Sequence, residues 1–353
     1  MPATSETLTY HTQLVQTLQH RSPGYVDAIT KQSALMWWLR KKGRYKPTTG
    51  HRIEEAVMYK VNTQEPSISG FDLINLQEQD FMTLMLINWK HYLLPIVING
   101  QNLDVYNTGP EKMIDVMEST EDNALGGMYQ SLNEDLFGDG TGNSSKVVTG
   151  LAAICDTTPT VGTLYGINRA TTGNEFHQNQ LVDQGSGGAA QAAYAYGANG
   201  IPTHRMLQGM TKLWQLCGRL KSGNGDNRHP DFAICSEAYE RTYDDAVRVS
   251  GGQRIVNKTA ADAGFTSYAF KGMTILADQD CPNDTVNSGS GCLANFLNSK
   301  YLNLRYSKNR NFKVTDLDRL TNQDGYVAHL LWSGELCCTL PAKQGVHIGI
   351  VAL

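Results

Sequence analysis

At 353 residues the chain is long enough to bury a sizeable core, and at ~150 residues per domain it predicts about two lobes. Its apolar fraction of 41% and charged fraction of 18% exclude intrinsic disorder as the dominant state. A formal net charge of −4 argues against a surface built mainly for nucleic acid.

The N-terminus, MPATSETLTYHTQ, has neither a basic start nor an apolar run, so no secretory signal is expected. Residues 1–42 read as an arm, with helical patches at 5–19 and 25–39 separated by SPG. Next comes a basic run that carries six bases and no acid: Arg40, Lys41, Lys42, Arg44, Lys46 and Arg52. Residues 43–80 alternate partially around the Pro-containing tip TQEPS, which predicts a two-stranded excursion. Few of its residues are apolar enough to anchor it on its own core, and an isolated hairpin is marginal in water. It is therefore expected to lie on something else.

The greasiest stretch, FMTLMLINWKHYLLPIVING at 81–100, is interrupted by Asn88, Lys90, His91 and Pro95. It lacks the ~18 apolar residues of a membrane span and reads as a core segment. A long helix follows over about 110–137, with Met113, Met117, Ala124, Met128, Leu132 and Leu136 forming one apolar stripe. From Glu111 to Asp139 it carries eight acids (Glu111, Asp115, Glu118, Glu121, Asp122, Glu134, Asp135, Asp139) against one base, Lys112. A narrow apolar seam under a charged face describes a rod rather than a pocket wall. The helix is expected to stop at GDGTGN and to be followed by a short strand.

The Gly-, Ala-, Thr- and Asn-rich stretch 157–202 reads as a surface connection or loose loop. THRMLQGMTKLWQLCGRLK predicts an amphipathic helix with Thr203 as N-cap and a stripe through Met206, Met210, Leu213, Cys217 and Leu220. HPDFAICS predicts a strand. SEAYERTYDDAVRV predicts a helix capped by Ser236, with Tyr239, Tyr243 and Val247 on one side. Strands are expected in FKGMTILAD, ANFLNSKYLNLRYS, NFKVTDL, GYVAHLLWSGELCCTL and GVHIGIVAL. This order is α+β rather than regular βαβ alternation.

No chemistry declares itself. GDGTGN follows a helix, whereas a phosphate cradle precedes one. Asp278, Asp280 and Asp284 have calcium-like spacing, but no glutamate completes the set and Pro282 intrudes, so a surface loop is expected. His204, His229, His329 and His347 sit on different elements, which favours capping or packing over metal ligation. The seven cysteines include no Cys-x-x-Cys pair, and their usage is that of a reduced compartment. Cys281 and Cys292 flank a polar loop and could be bridged. Cys337 and Cys338 are adjacent on a predicted strand and point to opposite faces. Trp37, Trp38, Trp89, Trp214 and Trp332 are scattered, so no stacking platform for single strands is visible. No catalytic residue, metal or cofactor is assigned.

The order of elements, together with SISGFDLINLQ, NEDLFGDGTGN followed by TGLAAICD, TLYGINRAT, HPDFAICSEAYERTYDD, AGFTSYAFKGMTILADQDCP and FLNSKYLNLRYS, resembles the major capsid proteins of tailed bacteriophages. These share the Hong Kong 97-type fold. The resemblance implies an N-terminal arm (1–42), an extended loop (43–80), a peripheral domain (81–202 and 321–340) whose spine is the long helix, and an axial domain (203–320 and 341–353). It further implies a non-enzymatic subunit that self-assembles into hexamers and pentamers of an icosahedral shell enclosing double-stranded DNA. Such a shell is built in the host bacterial cytoplasm and located in the virion. The implied partners are other copies, a portal, cement proteins and DNA contacted non-specifically, with no membrane. The N-terminus lacks the long charged helical segment that serves some relatives as a built-in scaffold, so a separate scaffolding protein, or none, is expected. Some members cross-link a lysine to an asparagine, but no lysine here is matched to that role.

Two rival readings stand beside this one. An encapsulin-type nanocompartment shell shares the fold but houses a cargo enzyme. A soluble α+β enzyme with an unrecognised site would be a compact monomer, which the protruding ribbon argues against. Within the shell reading, the basic root of one subunit's ribbon is expected to lie over the acidic helix of a neighbour, setting register more than strength.

Overall fold

In the computed structural model the described residues are 33–59, 69–70, 78, 80–101, 116–185, 190–193, 195–196, 202–219, 229–250, 267–287, 291–316, 318–321 and 323–351. The predicted helix at 5–19, the ribbon tip, the helix start before Val116 and Leu220 lie outside them.

In chain order the elements are helix α1 (Ala34–Lys41), strands β1 (Tyr45–Thr48), β2 (Ile53–Met58), β3 (Met82–Ile87) and β4 (Lys90–Asn99), and the long helix α2 (Val116–Phe137). Then come the short helix α3 (Leu151–Ile154) and strands β5 (Thr163–Leu164), β6 (Ile167–Asn168), β7 (Gln180–Asp183), β8 (Ala195–Tyr196) and β9 (Pro202–Thr203). Helix α4 (Arg205–Arg219), β10 (Phe232–Cys235), helix α5 (Glu237–Val249), β11 (Ser267–Phe270), β12 (Met273–Ala277) and β13 (Gly291–Leu297) follow. The last strands are β14 (Leu302–Ser307), β15 (Lys313–Val314), β16 (Asp318–Arg319), β17 (Gly325–Cys338) and β18 (Gly345–Val351).

The chain divides into two compact units, one containing His91–Ser131 and Asn309–Trp332, the other Ser33–Lys90, Leu132–Lys308 and Ser333–Leu353. In the smaller unit β4, β15 and β16 pair with β17. Trp332 is fully buried there against Tyr92 and Phe312, and Phe312 stacks on Tyr129 at 4.3 Å.

The core of the larger unit is a six-stranded sheet in the order β11-β12-β10-β13-β18-β7. Helix α4 packs on β7 and β18, and helix α5 on β12 and β13. Met206, Met210, Leu213 and Cys217 of α4 and Tyr239, Tyr243 and Val247 of α5 enter one apolar cluster, as their helical spacing predicts. Each such large side chain, fully buried, contributes ~1.5–3 kcal/mol. Ser236 caps α5, its Oγ accepting from the Tyr239 amide at 3.3 Å. Two hairpins close on two-residue turns with positive φ at both positions, Tyr165-Gly166 and Lys271-Gly272, which match the right-handed twist of the flanking strands.

Several expectations are corrected. Thr203 is not the N-cap of α4: it pairs with Ala195 in a short β-ladder, and the helix begins at Arg205. No strand lies between the end of the long helix and Asp156. Instead Leu151–Ile154 is a helical turn that opens at Gly150. A Cβ at Gly150 would lie 2.5 Å from the carbonyl oxygens of Asp135 and Gly138, so only glycine lets the chain cross the last carbonyls of α2. The stop itself is as predicted, with Thr141 donating from its amide (2.9 Å) and hydroxyl (2.8 Å) to Asp139 Oδ1.

Between residues 157 and 185 the chain is not a loose loop, while 186–189, 194 and 197–201 lie outside the described residues. The segment 157–185 forms β5, β6, a 3₁₀ turn at Glu175–His177 and β7, and it is ordered by a buried arginine. The Arg169 guanidinium donates to the carbonyls of Ala153 (2.8 Å), Ile154 (3.3 Å) and His177 (3.2 Å) and pairs with Asp156 at 3.5 Å. The aspartate trio does lie in a loop, between β12 and β13, with Gln279, Pro282, Asn283 and Thr285 exposed, but two of its carboxylates turn inward. Asp278 and Asp284 are buried and receive backbone amides: Asp278 from Ala34, Asp284 from Val286 and Gly349. All seven cysteines are free and buried, Cys281 and Cys292 among them.

Candidate assembly surfaces

The ribbon root is β2 paired antiparallel with β3, from Ile53↔Ile87 to Met58↔Met82. The return strand therefore lies in the apolar stretch expected to be core, and that expectation holds for only one of its faces. Side chains alternate across a strand. Ile53, Val57, Met85 and Ile87 are buried within the chain, so the root has an anchor that the sequence reading did not grant it. The other face is solvent-exposed and apolar: Met58 62%, Met82 49%, Leu84 50% and Leu86 42%, with Phe81 beside them at 46%. Ala56 and Glu54 complete that face, opposite Leu84 and Leu86. A contiguous exposed apolar stripe of this kind marks an interaction surface.

Polar and aromatic contacts tie the inner face to the rest of the chain. Arg305 on β14 donates from Nε (2.8 Å) and Nη2 (2.5 Å) to Glu55 Oε1. Tyr59 stacks on Phe176 at 4.8 Å, and the Leu86 amide donates to the Tyr165 carbonyl at 3.4 Å.

The basic run occupies the end of α1 and the approach to the ribbon. Arg40 and Lys41 fill the last turn of α1, where cations complement the helix dipole. Part of the run is engaged within its own chain. Lys42 pairs with Asp231 at 3.4 Å, and Lys41 and Lys42 lie over Trp37 and Trp38. Arg40 lies over Tyr45. Arg44 and Lys46 are half-buried, and Arg52 is exposed next to β2.

On α2, Asp122 and Glu134 are exposed and Glu121 and Asp135 half-buried, while Ala124, Met128, Leu132 and Leu136 are buried as the stripe predicts. Glu111 and Asp115 lie outside the described residues, as does the side chain of Glu118.

Buried titratable groups serve the core. His347 accepts at Nδ1 from the Tyr239 hydroxyl (2.6 Å) and faces Gln184 Oε1 with Nε2 (3.2 Å), and burial pushes its pKa down to about 3. His177 is lowered to about 4, first by burial and then by Arg169. Burial pushes the Glu335 carboxyl up to about 8. Burial raises all seven thiols, which leaves them protonated and unreactive at neutral pH. Among the described residues no three His, Cys, Asp or Glu side chains group as metal ligands, and no helix is long and apolar enough to cross a membrane. Reading the sequence missed Arg169, His177 and Glu335, although Glu335 stands alone as an acid in the apolar run LLWSGELCC.

No protein-family model and no curated protein sequence matches this chain. Solved structures do. The SrpI encapsulin of Synechococcus elongatus PCC 7942 superposes with a TM-score of 0.58 at 9% identity, covering 96% of this chain and 95% of that one. The capsid protein of cyanophage A-1(L) gives 0.58 at 15% identity over 87% and 90%. The capsid of a native GTA particle gives 0.59 at 10% over 94% and 93%. At these identities the likeness is one of fold: the chain has the α+β Hong Kong 97-type fold of shell-forming subunits. The capsid of the Myoviridae phage XM1 matches in the same way, with a TM-score of 0.54 at 11% identity over 88% of this chain and 92% of that one.

Proposed function

We propose that this chain is the major capsid protein of a tailed phage, a structural subunit without catalysis that self-assembles into the hexamers and pentamers of an icosahedral shell around double-stranded DNA. The observation that carries the reading is the ribbon root, whose inner face is buried in its own chain while its outer face exposes Met58, Met82, Leu84 and Leu86. Burial of that face requires another copy, and interfaces of obligate assemblies run to roughly 2,000 Å² or more. In this reading residues 1–42 are the arm, 43–80 the extended loop, 81–202 and 321–340 the peripheral domain, and 203–320 and 341–353 the axial domain. The shell is located in the virion and assembled in the host bacterial cytoplasm, with a portal, a separate scaffolding protein and cement proteins as further partners.

The basic root of one subunit lies over the acidic face of a neighbour's α2 and fixes register. Lys41 and Lys42 are engaged in their own chain, so the informative charge swap is Arg44→Glu with Arg52→Glu. It should lower assembly yield at ~0.1 M salt, where the Debye length is about 10 Å, while leaving subunit folding intact. Unchanged yield and unchanged salt sensitivity would remove the charge contact from the account.

A cellular nanocompartment is the second reading, favoured by the encapsulin match over 96% of the chain. Particle content separates the two: double-stranded DNA and a portal vertex for the phage, an enclosed protein for the compartment.

A further inference from the structure

A cavity of about 260 Å³ lies in the larger unit, where the end of α2 and the residues around α3 meet strand β13. It is smaller than the ~300–1,000 Å³ of a drug-sized site, so it has room for one side chain or a molecule of that size. Phe137 and Leu293 supply apolar wall. Asn295 lines the cavity from β13, turned away from the apolar core that its neighbours Ala294 and Phe296 join on the opposite face of the sheet. Asn295 is 4% exposed, yet its side-chain amide makes no hydrogen bond among the described residues. Buried amides are nearly always paired, so this one is built to meet a group from outside the chain.

The cavity is negative in sign. Asp139 and Asp156 both line it. Asp156 is partly offset by Arg169, 3.5 Å from its Oδ2, and its Oδ1 takes the Thr158 amide at 2.8 Å. Asp139 has no cation beside it among the described residues. Its bonds from the Thr141 amide and hydroxyl hold its carboxyl below the usual carboxylate range, so it is ionised at neutral pH. The last turn of α2 contains no basic residue either, which leaves the negative end of the helix dipole to add to Asp139.

We propose that this cavity binds a guanidinium group on a short apolar stem, with the Asn295 side-chain oxygen and the Asp139 carboxylate as its acceptors and Phe137 and Leu293 along its stem. A guanidinium offers five donors in a planar fork and is more weakly hydrated than an ammonium, so it enters a partly apolar cavity more readily. A metal ion fits less well, because among the described residues no three His, Cys, Asp or Glu side chains group as ligands. A neutral ligand would leave Asp139 and the helix end uncompensated. Two sources carry the required group: an arginine side chain of another copy, such as the exposed Arg52, and a small free guanidinium compound. The site belongs to the folded chain and does not rest on the shell reading.

The test is calorimetric titration of the purified, unassembled protein with n-propylguanidinium, against n-propylurea as its neutral isostere. The cation should bind saturably and the urea should not. Asn295→Leu and Asp139→Asn should each weaken the cation roughly tenfold or more, the scale of losing a hydrogen bond to a charged group, with circular dichroism matching the wild type. Asp139→Asn also touches the stop of α2, so Asn295→Leu, which leaves that stop intact, decides the matter if the first variant fails to fold. The same titration on assembled particles separates the sources. Binding lost on assembly, with an arginine of a neighbouring chain seen in the cavity by cryo-electron microscopy, supports the site and names another copy. Equal binding before and after assembly supports the site and names a free compound. No uptake of n-propylguanidinium by the unassembled protein, equal uptake of n-propylurea, or unchanged affinity in Asn295→Leu would each overturn the site.

Discussion

Tyr239 and His347 share a 2.6 Å hydrogen bond in the fully buried core of the larger unit, joining helix α5 to the last strand of the sheet. The Tyr239 hydroxyl donates to Nδ1, which places the imidazole proton on Nε2 facing Gln184 Oε1 at 3.2 Å. Gln184 in turn donates to the Arg205 carbonyl at 2.7 Å, so one neutral histidine links α5, β18 and the start of α4. A proton on Nδ1 would break the chain of bonds at its centre.

Acid should therefore unfold this core. His347 has a folded pKa of about 3 against an ordinary 6.5, so its stabilisation is complete above pH 6.5 and drains away as pH falls towards 3. His177, at about 4, acts in the same direction. At about 1.4 kcal/mol per unit the His347 contribution is several kcal/mol. Chemical denaturation between pH 7 and 4 should show a steep loss of stability, and His347→Gln should flatten it. An equally steep profile in that variant would contradict the neutral-core assignment.

Glu335 acts with the opposite sign. Its folded pKa of about 8 lies above the ordinary 4.5, so its contribution is complete below pH 4.5 and is lost as pH rises to about 8. Glu335→Gln should be more stable than the wild type at pH 8, by a few kcal/mol at about 1.4 kcal/mol per unit. Equal stability of the two proteins at pH 8 would show that the carboxyl titrates normally.

Two glycines should respond in opposite directions to alanine. A Cβ on Gly209 would meet His347 Nε2 at 2.4 Å and Gln184 Cδ at 2.6 Å, so Gly209→Ala should destabilise by about 1–3 kcal/mol. Gly127, exposed on α2 with nothing within 4 Å of its would-be Cβ, should gain about 0.5–1 kcal/mol from Gly127→Ala. Thermal melts of the pair read both signs.

The ribbon's outer face separates folding from assembly. Leu84→Asp with Leu86→Asp adds charge to exposed positions and should change subunit stability by no more than about 0.5 kcal/mol each. Assembly should nonetheless fail, as followed by light scattering of particle formation. Normal particles from the double variant would remove this face from the interface.

Much of this fold was legible because local signals agree with the packing. Ser236 before EAYERTYDD, the stripe of Met206, Met210, Leu213 and Cys217, and the turn at Asp139 with Thr141 each act within a few residues of themselves. The stretch after Thr157 was not legible. Its Gly- and Thr-rich composition reads as loop, and its order comes from Arg169 binding carbonyls that precede and follow it in the chain. The ribbon was half legible. Met82–Ile87 is apolar on both faces, so periodicity alone cannot tell a buried strand from one whose second face waits for another copy. The pairing of Glu55 with Arg305, 250 positions apart, carries no local signal at all.

The central claim is that the subunit is completed by other copies at the ribbon. Cryo-electron microscopy of purified protein under assembly conditions tests it most directly. The account predicts closed icosahedral particles in which Met58, Leu84 and Leu86 lie buried against a neighbouring subunit. A stable, homogeneous monomer with those side chains in solvent, and no closed particles under any condition, would contradict it.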